Sequence, residues 1–213
     1  MKFNDFLKLY VDKPFVDSST FALYGNAGDI RRQVNGWLKH GYLLPLKKGL
    51  YIFGEQYRKM PVSPLFIANF LVTPSYVSME YALGYYGFIP EKVVSITSVT
   101  TKKTRIFKNA VGRFSYRTIK RNLFFGFTKV ELNQDSFFIA QPEKALCDYL
   151  YLDSAALPRE DYFEESMRLQ NTEKLSVKLL HSYKDKYDKR TGLIVDALVA
   201  YIKKERSKSE RSD

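Results

Sequence analysis

Apolar residues recur at Ile30, Val34, Trp37 and Leu38, spaced i, i+4, i+7 and i+8, which lines one face of a helix. Arg31, Arg32, Gln33, Asn35 and Lys39 fall on its other faces. Gly28 and Asp29 stand at its start, and Gly41 closes it as a left-handed cap. Two short apolar runs, Tyr42–Leu46 and Leu50–Phe53, flank Lys47-Lys48-Gly49, which predicts a hairpin with a basic tip. Upstream, Phe3, Phe6, Leu7 and Tyr10 share one side of a first helix that Pro14 ends. Asp17, Ser18 and Ser19 then offer N-caps for a short second helix through Tyr24.

Three helices and a hairpin in this order are the plan of a winged helix-turn-helix, with Trp37 plugging a small core. Such a module binds DNA or contacts proteins, and the cationic and amide residues on the third helix favour DNA. In that role Arg31, Arg32 and Asn35, with Gln33 on the same solvent-facing surface, face the major groove, where guanidinium and amide groups pair with guanine and adenine edges. Lys39, Lys47 and Lys48 meet phosphates.

The polar stretch 54–62, around Tyr57, Arg58, Lys59, Met60 and Pro61, predicts a domain boundary, giving a DNA-binding domain over 1–56 and a second domain over 57–206. Pro64 opens an apolar helix. Pro74 interrupts it, and Ser78 caps another helix that Gly84 and Gly87 end. The pattern then turns to β: Val93–Thr100, Thr104–Phe107, Phe114–Arg117, Phe125–Leu132 and Ser136–Ala140 read as strands. Pro142 starts a helix carrying Ala145, Leu146, Tyr149 and Leu150, and helices over Arg159–Leu169, Thr172–Tyr183 and Thr191–Lys204 follow. The charged, serine-rich ending, residues 207–213, is expected to be disordered. The fold class is α+β, a winged helix-turn-helix followed by a mixed domain with a central sheet and a helical C-terminal portion.

Charge changes the picture. The net charge of +11 points to a polyanionic partner. Residues 1–60 carry +5 and residues 61–140 carry +6, while residues 141–213 are neutral. Between Lys92 and Val130 there are ten lysines and arginines and no acidic residue. Lys102, Lys103, Arg105, Lys108, Arg113, Arg117, Lys120 and Arg121 are expected to give one sheet face a positive field that fits an acidic partner protein, RNA or flanking DNA. Cys147 is the single cysteine, in an apolar run, and reads as a packed side chain. With His40 and His181 as the only histidines, no zinc cluster is expected. No run suits a signal peptide or a membrane span, so a cytoplasmic protein without a membrane partner is the expectation.

Several stretches in order, Pro64–Ala68, Ser75–Leu83, Thr97–Lys103 and above all Ala140–Asp148 (AQPEKALCD), together with Lys48-Gly49-Leu50-Tyr51 at the hairpin, resemble the AbiEi-type antitoxin family. The resemblance covers about residues 1–152. It implies a bacterial antitoxin of an abortive-infection toxin–antitoxin system, functionally partnered with a nucleotidyltransferase-like toxin. It further implies a winged helix that binds inverted repeats of double-stranded DNA in its own promoter and represses the operon.

Glu143, Lys144 and Asp148 invite comparison with metal-dependent nucleases, where carboxylates hold Mg²⁺ beside a lysine. Adjacent residues on a helix diverge by about 100°, and Asp148 suits an i, i+4 pair with Lys144. Glu80 and Glu143 could also converge across the fold as a polar anchor. No phosphate loop or nucleophile–base pair is present. The expectation is a non-enzyme without catalytic residues, metal or cofactor. An RNA- or protein-binding adaptor acting through the basic sheet is the alternative, and a metal-dependent nuclease a weaker one.

Overall fold

A computed structural model describes residues 1–59, 61–132 and 135–209, the side chain of Ser209 aside. Met60 of the expected boundary stretch and 210–213 of the expected tail lie outside the described residues.

Phe3, Phe6 and Tyr10 project from one face of α1 (Phe3–Tyr10). Asp17 ends a two-residue strand, β1 (Val16–Asp17), and caps α2 (Ser18–Ala22) by accepting the Ser19 and Thr20 N–H groups at 2.7 and 3.2 Å. Asn26 caps α3 (Ala27–Lys39) through the Asp29 N–H at 3.0 Å, and the helix turns Val34 and Trp37 inward. Gly41, at φ 71°, reverses the chain so that the Tyr42 N–H reaches the Trp37 carbonyl at 2.8 Å. β2 (Leu43–Lys47) and β3 (Leu50–Phe53) form the expected hairpin, and β1 adds to the free side of β3. Two residues are too few to show alternation, so β1 left no trace in the pattern. Around Phe6, the rings of Trp37 and Phe21 lie 5.0 and 5.2 Å away, and Leu43 and Phe53 close this small core.

The larger core surrounds a six-stranded mixed sheet, ordered β6-β7-β5-β4-β9-β8. Its strands are β4 (Ser75–Val77), β5 (Ile96–Thr100), β6 (Arg105–Asn109), β7 (Gly112–Thr118), β8 (Phe127–Leu132) and β9 (Asp135–Ala140). β5 and β7 run parallel, as do β4 and β9. The central β4 escapes the pattern because its three residues are all buried and it follows a proline. Helices α4 (Pro64–Leu71), α5 (Met79–Tyr85) and α6 (Pro142–Leu152) pack on the sheet, and α7 (Val177–Lys184) and α8 (Lys189–Ser209) pack on α6.

Three expectations need correction here. The helix expected over Arg159–Leu169 condenses to one π-turn, Tyr162–Ser166, whose Tyr162 and Phe163 are buried, Phe163 beside Tyr201 of α8. Helix α8 continues to Ser209, past the expected start of disorder. The cations of the β region do not share one face. Antiparallel partners lie on the same side of a sheet, so Arg105, opposite Tyr116, sits with the buried Phe114 and Tyr116, while Lys108, Arg113 and Arg117 lie on the reverse side. Lys102 and Lys103 occupy the β5–β6 turn, and Lys120 and Arg121 follow β7; all eight are exposed.

The hairpin belongs to both cores. Leu43 and Phe53 enter the small one, whereas Leu46, Leu50 and Ile52 enter the large one together with Phe15. Phe15 stacks on Phe70 at 4.1 Å and on Phe66 at 5.3 Å, and Asn109 Nδ2 donates to the Leu46 carbonyl at 3.1 Å. The boundary stretch is bridged too: Tyr57 packs on Phe3 at 4.9 Å, and Lys59 pairs with Asp12 at 2.6 Å.

Candidate nucleic-acid interface

Arg31 and Asn35 are one helical turn apart on the exposed side of α3. They rim a groove of about 510 Å³ between α2, α3 and β3, whose floor includes Phe21, Ala22, Ile30 and Val34. Small residues, Gly25 and Ala27, stand at its α3 end. A guanidinium and a carboxamide thus point outward beside apolar surface, and among the described residues neither has an ion-pair partner.

The other predicted residues separate. Arg32 pairs with Asp29 at 3.4 Å, but both are well exposed, at 84% and 58%, so the pair is weak and readily exchanged. Gln33 is turned to the backbone of Met1, whose amino and carbonyl groups both lie 3.2 Å from its amide once that amide is oriented to satisfy them. Lys39 is exposed at the end of α3. Lys48 is exposed at the hairpin tip, where Gly49 (φ 76°) accepts the Ser18 N–H on its carbonyl at 2.8 Å. A Cβ at Gly49 would lie 3.0 Å from Ser18 Oγ, so glycine lets the tip dock on the start of α2.

Lys47, expected with Lys39 and Lys48 to meet phosphates, is half-buried while Lys48 is exposed. Its Nζ donates to the Leu71 carbonyl at 2.6 Å, at the C-terminal end of α4, where carbonyls lack helical partners. Burial, then the charges of Lys102 and Arg105, hold its pKa below the usual lysine value. Lys47 is thus a joint between hairpin and larger core. The same neighbours bring the β5–β6 turn of the second region beside the hairpin.

The Glu143–Lys144–Asp148 motif is committed to structure. Lys144 and Asp148 are fully buried and form the expected i, i+4 ion pair. Asp148 Oδ2 accepts the hydroxyls of Tyr76 and Ser78, each at 2.9 Å, and Oδ1 accepts that of Tyr187 at 3.0 Å. Ser78 therefore spends its hydroxyl on Asp148, not on capping α5 as expected. Lys144 Nζ also donates to the Tyr187 oxygen at 2.7 Å and lies 4.8 Å from the Phe125 ring. Burial lowers the Lys144 pKa and raises that of Asp148, each opposed by its partner's charge; it also pushes the Cys147 thiol up, leaving it protonated. Glu143 Oε1 accepts the Ser176 N–H at 2.6 Å, and Glu80 Oε2 is buried with no hydrogen-bond partner among the described residues. Tyr76 and Tyr187 went unnoticed in the sequence because β4 is too short to read and Tyr187 lies in a charged, patternless stretch.

Among the described residues no three histidine, cysteine or acidic side chains gather as a metal site, and no helix is long and apolar enough to cross a membrane. No protein-family model and no curated protein sequence matches the chain.

Proposed function

We propose that this chain is a sequence-specific double-stranded-DNA-binding protein whose N-terminal 53 residues act as a winged helix, and that it represses its own operon as the antitoxin of a toxin–antitoxin pair. The observation that carries the DNA reading is the exposed Arg31–Asn35 pair on α3, flanked by a tip whose Lys48 is free to meet a phosphate. Arginine reads guanine and asparagine reads adenine through two hydrogen bonds each, and the amide at the start of α2 holds the tip in place. Antitoxin action against a nucleotidyltransferase-like toxin, in the cytoplasm, rests on the resemblance of AQPEKALCD and its companion stretches. If the operator is an inverted repeat, two copies bind half-sites about 34–36 Å apart or a multiple of that.

Binding of the full chain to its own upstream duplex, across a salt series, tests this. Tight, salt-dependent binding whose preference over random duplex disappears in Arg31→Ala is the expected result. No preference for the promoter would overturn the repressor reading. Antitoxin action is scored separately, by growth of cells expressing the neighbouring toxin with wild-type chain or Arg31→Ala supplied from an unrelated promoter. Rescue by both is expected, and rescue by neither would remove the antitoxin role.

A further inference from the structure

β4 and β9 run parallel and adjacent, yet one bridge joins them, Val77 to Ile139. On the side of their N-terminal ends lies a groove of about 430 Å³, bounded by Ser75 before that bridge on β4 and by Ser136 and Phe138 before it on β9. Its walls are aromatic: Phe66 and Phe70 from α4, Phe124 from the approach to β8, Phe127 at the start of β8, and Phe138 itself. Phe70, stacked by Phe15 on one face, and Phe138 are still 45% and 43% exposed, so both side chains are partly open to a partner.

Two polar features distinguish this groove from an underfilled core. Asn69 Oδ1 accepts the Phe138 N–H, a donor that the parting of the strands leaves without a partner strand. Its Nδ2 is then buried with no hydrogen-bond partner among the described residues, and Asn69 is one of the residues that line the groove. A buried donor of this kind calls for an acceptor. Lys129 stands directly across the ladder from Phe138 and is exposed, and exposed Arg121 precedes Phe124 by one helical turn. Lys129 pairs with Glu131 at 3.0 Å, with both side chains more than half exposed, a contact weak enough for a phosphate to displace.

We propose that this groove binds single-stranded nucleic acid. An unpaired base stacks on the partly exposed phenylalanine rings, a carbonyl or ring nitrogen accepts from Asn69 Nδ2, and the flanking phosphates lie near Lys129 and Arg121. Every base offers a π-face beside an acceptor on an anionic backbone, which matches the three features of the site together. The absence of any acidic residue from Lys92 to Val130 suits the same polyanion. Duplex bases are stacked inside their helix and cannot enter. The site is formed by α4, β4, β8 and β9 and does not rest on the reading of α3.

Anisotropy of a short fluorescein-labelled oligouridylate and its oligothymidylate counterpart, titrated with the full chain, tests the proposal. The expected result is salt-dependent binding that random duplex does not displace. Phe138→Ala weakens it about tenfold and Phe138→Tyr restores it. The two oligonucleotides decide between RNA and DNA as the source of the strand. Absence of binding by both, undiminished binding by folded Phe138→Ala, or complete displacement by duplex would overturn the proposal. Should Phe138→Ala fail to fold, Lys129→Glu at its exposed position decides: a several-fold loss is expected, and unchanged affinity overturns the phosphate placement and with it the site.

Discussion

The N-terminal module and the larger region handle charge in opposite ways. The module keeps its cations outside: Arg31, Arg32, Lys39 and Lys48 are exposed around a core of aromatic and aliphatic residues. The larger region draws a lysine and an aspartate into its centre and surrounds them with Tyr76, Ser78 and Tyr187. A surface cation costs little to maintain and is available to a polyanion. A buried pair gains little over an apolar replacement, but each member depends on the other once both are inside. The lesson is that the module leaves its surface cations available to a partner, whereas Lys144 serves assembly, joining β4, α6 and the segment before α8. Lys47 stands between the two cases, half-buried at the joint.

That contrast is broken most severely at Asp148. Asp148→Ala leaves Lys144 buried without its counter-ion and is expected to destabilise the protein by about 3–5 kcal/mol in urea unfolding. Replacing both residues, Lys144→Met with Asp148→Leu, should recover most of that loss; no recovery would show that the hydroxyl network outweighs the ion pair. Leu50→Ala comes next, since Leu50 joins the hairpin to the larger core. A loss of about 2–5 kcal/mol is expected, with weaker DNA binding, measured by thermal unfolding and promoter affinity on the same sample.

Asp17 gives a smaller effect with a defined pH sign. Its hydrogen bonds to Ser19, chiefly the hydroxyl, hold its pKa below the ordinary 3.8. A depressed acid contributes stability above its unfolded pKa, and that contribution is lost as pH falls through the folded value. Asp17→Ala should cost about 1 kcal/mol at neutral pH, and the difference from wild type should shrink in strong acid. An unchanged difference at low pH would mean that the cap contributes nothing through its charge.

The two hairpin lysines sharpen the comparison last. Lys47→Ala is expected to lower stability by about 1 kcal/mol, through loss of a charged hydrogen bond that is partly open to water. Lys48→Ala should leave unfolding unchanged while reducing the salt dependence of DNA binding by about one counterion. The opposite assignment, with Lys47 carrying the salt dependence, would place the phosphate contact on the wrong residue.

Much of the module was legible because its elements are amphipathic and punctuated. Asp17, Asn26, Gly41 and Gly49 mark ends and turns by local backbone chemistry that needs no tertiary partner. The candidate reading pair was legible for the same reason, since residues that avoid the buried stripe of α3 must face outward. The division among the predicted binding residues was not. Gln33 turns to Met1, Lys47 to Leu71 and Arg117 to the Leu152 carbonyl at 3.0 Å, each partner distant in sequence. In the β region the alternation Phe114-Ser115-Tyr116-Arg117 already separates Arg105 from Arg113 and Arg117, but only once β6 is known to pair with β7 in that register.

What the chain determined by itself is therefore local: helices with a buried stripe, capped ends, a glycine-tipped hairpin, a basic middle and an i, i+4 Lys144–Asp148 spacing. Tertiary structure decided the rest. It placed β4 at the middle of the sheet, shared the hairpin between two cores, surrounded Asp148 with three hydroxyls and parted β4 from β9 to open an aromatic groove. The physical reason is range: propensity and capping act within a few residues, whereas burial and register depend on surfaces brought together from far along the chain.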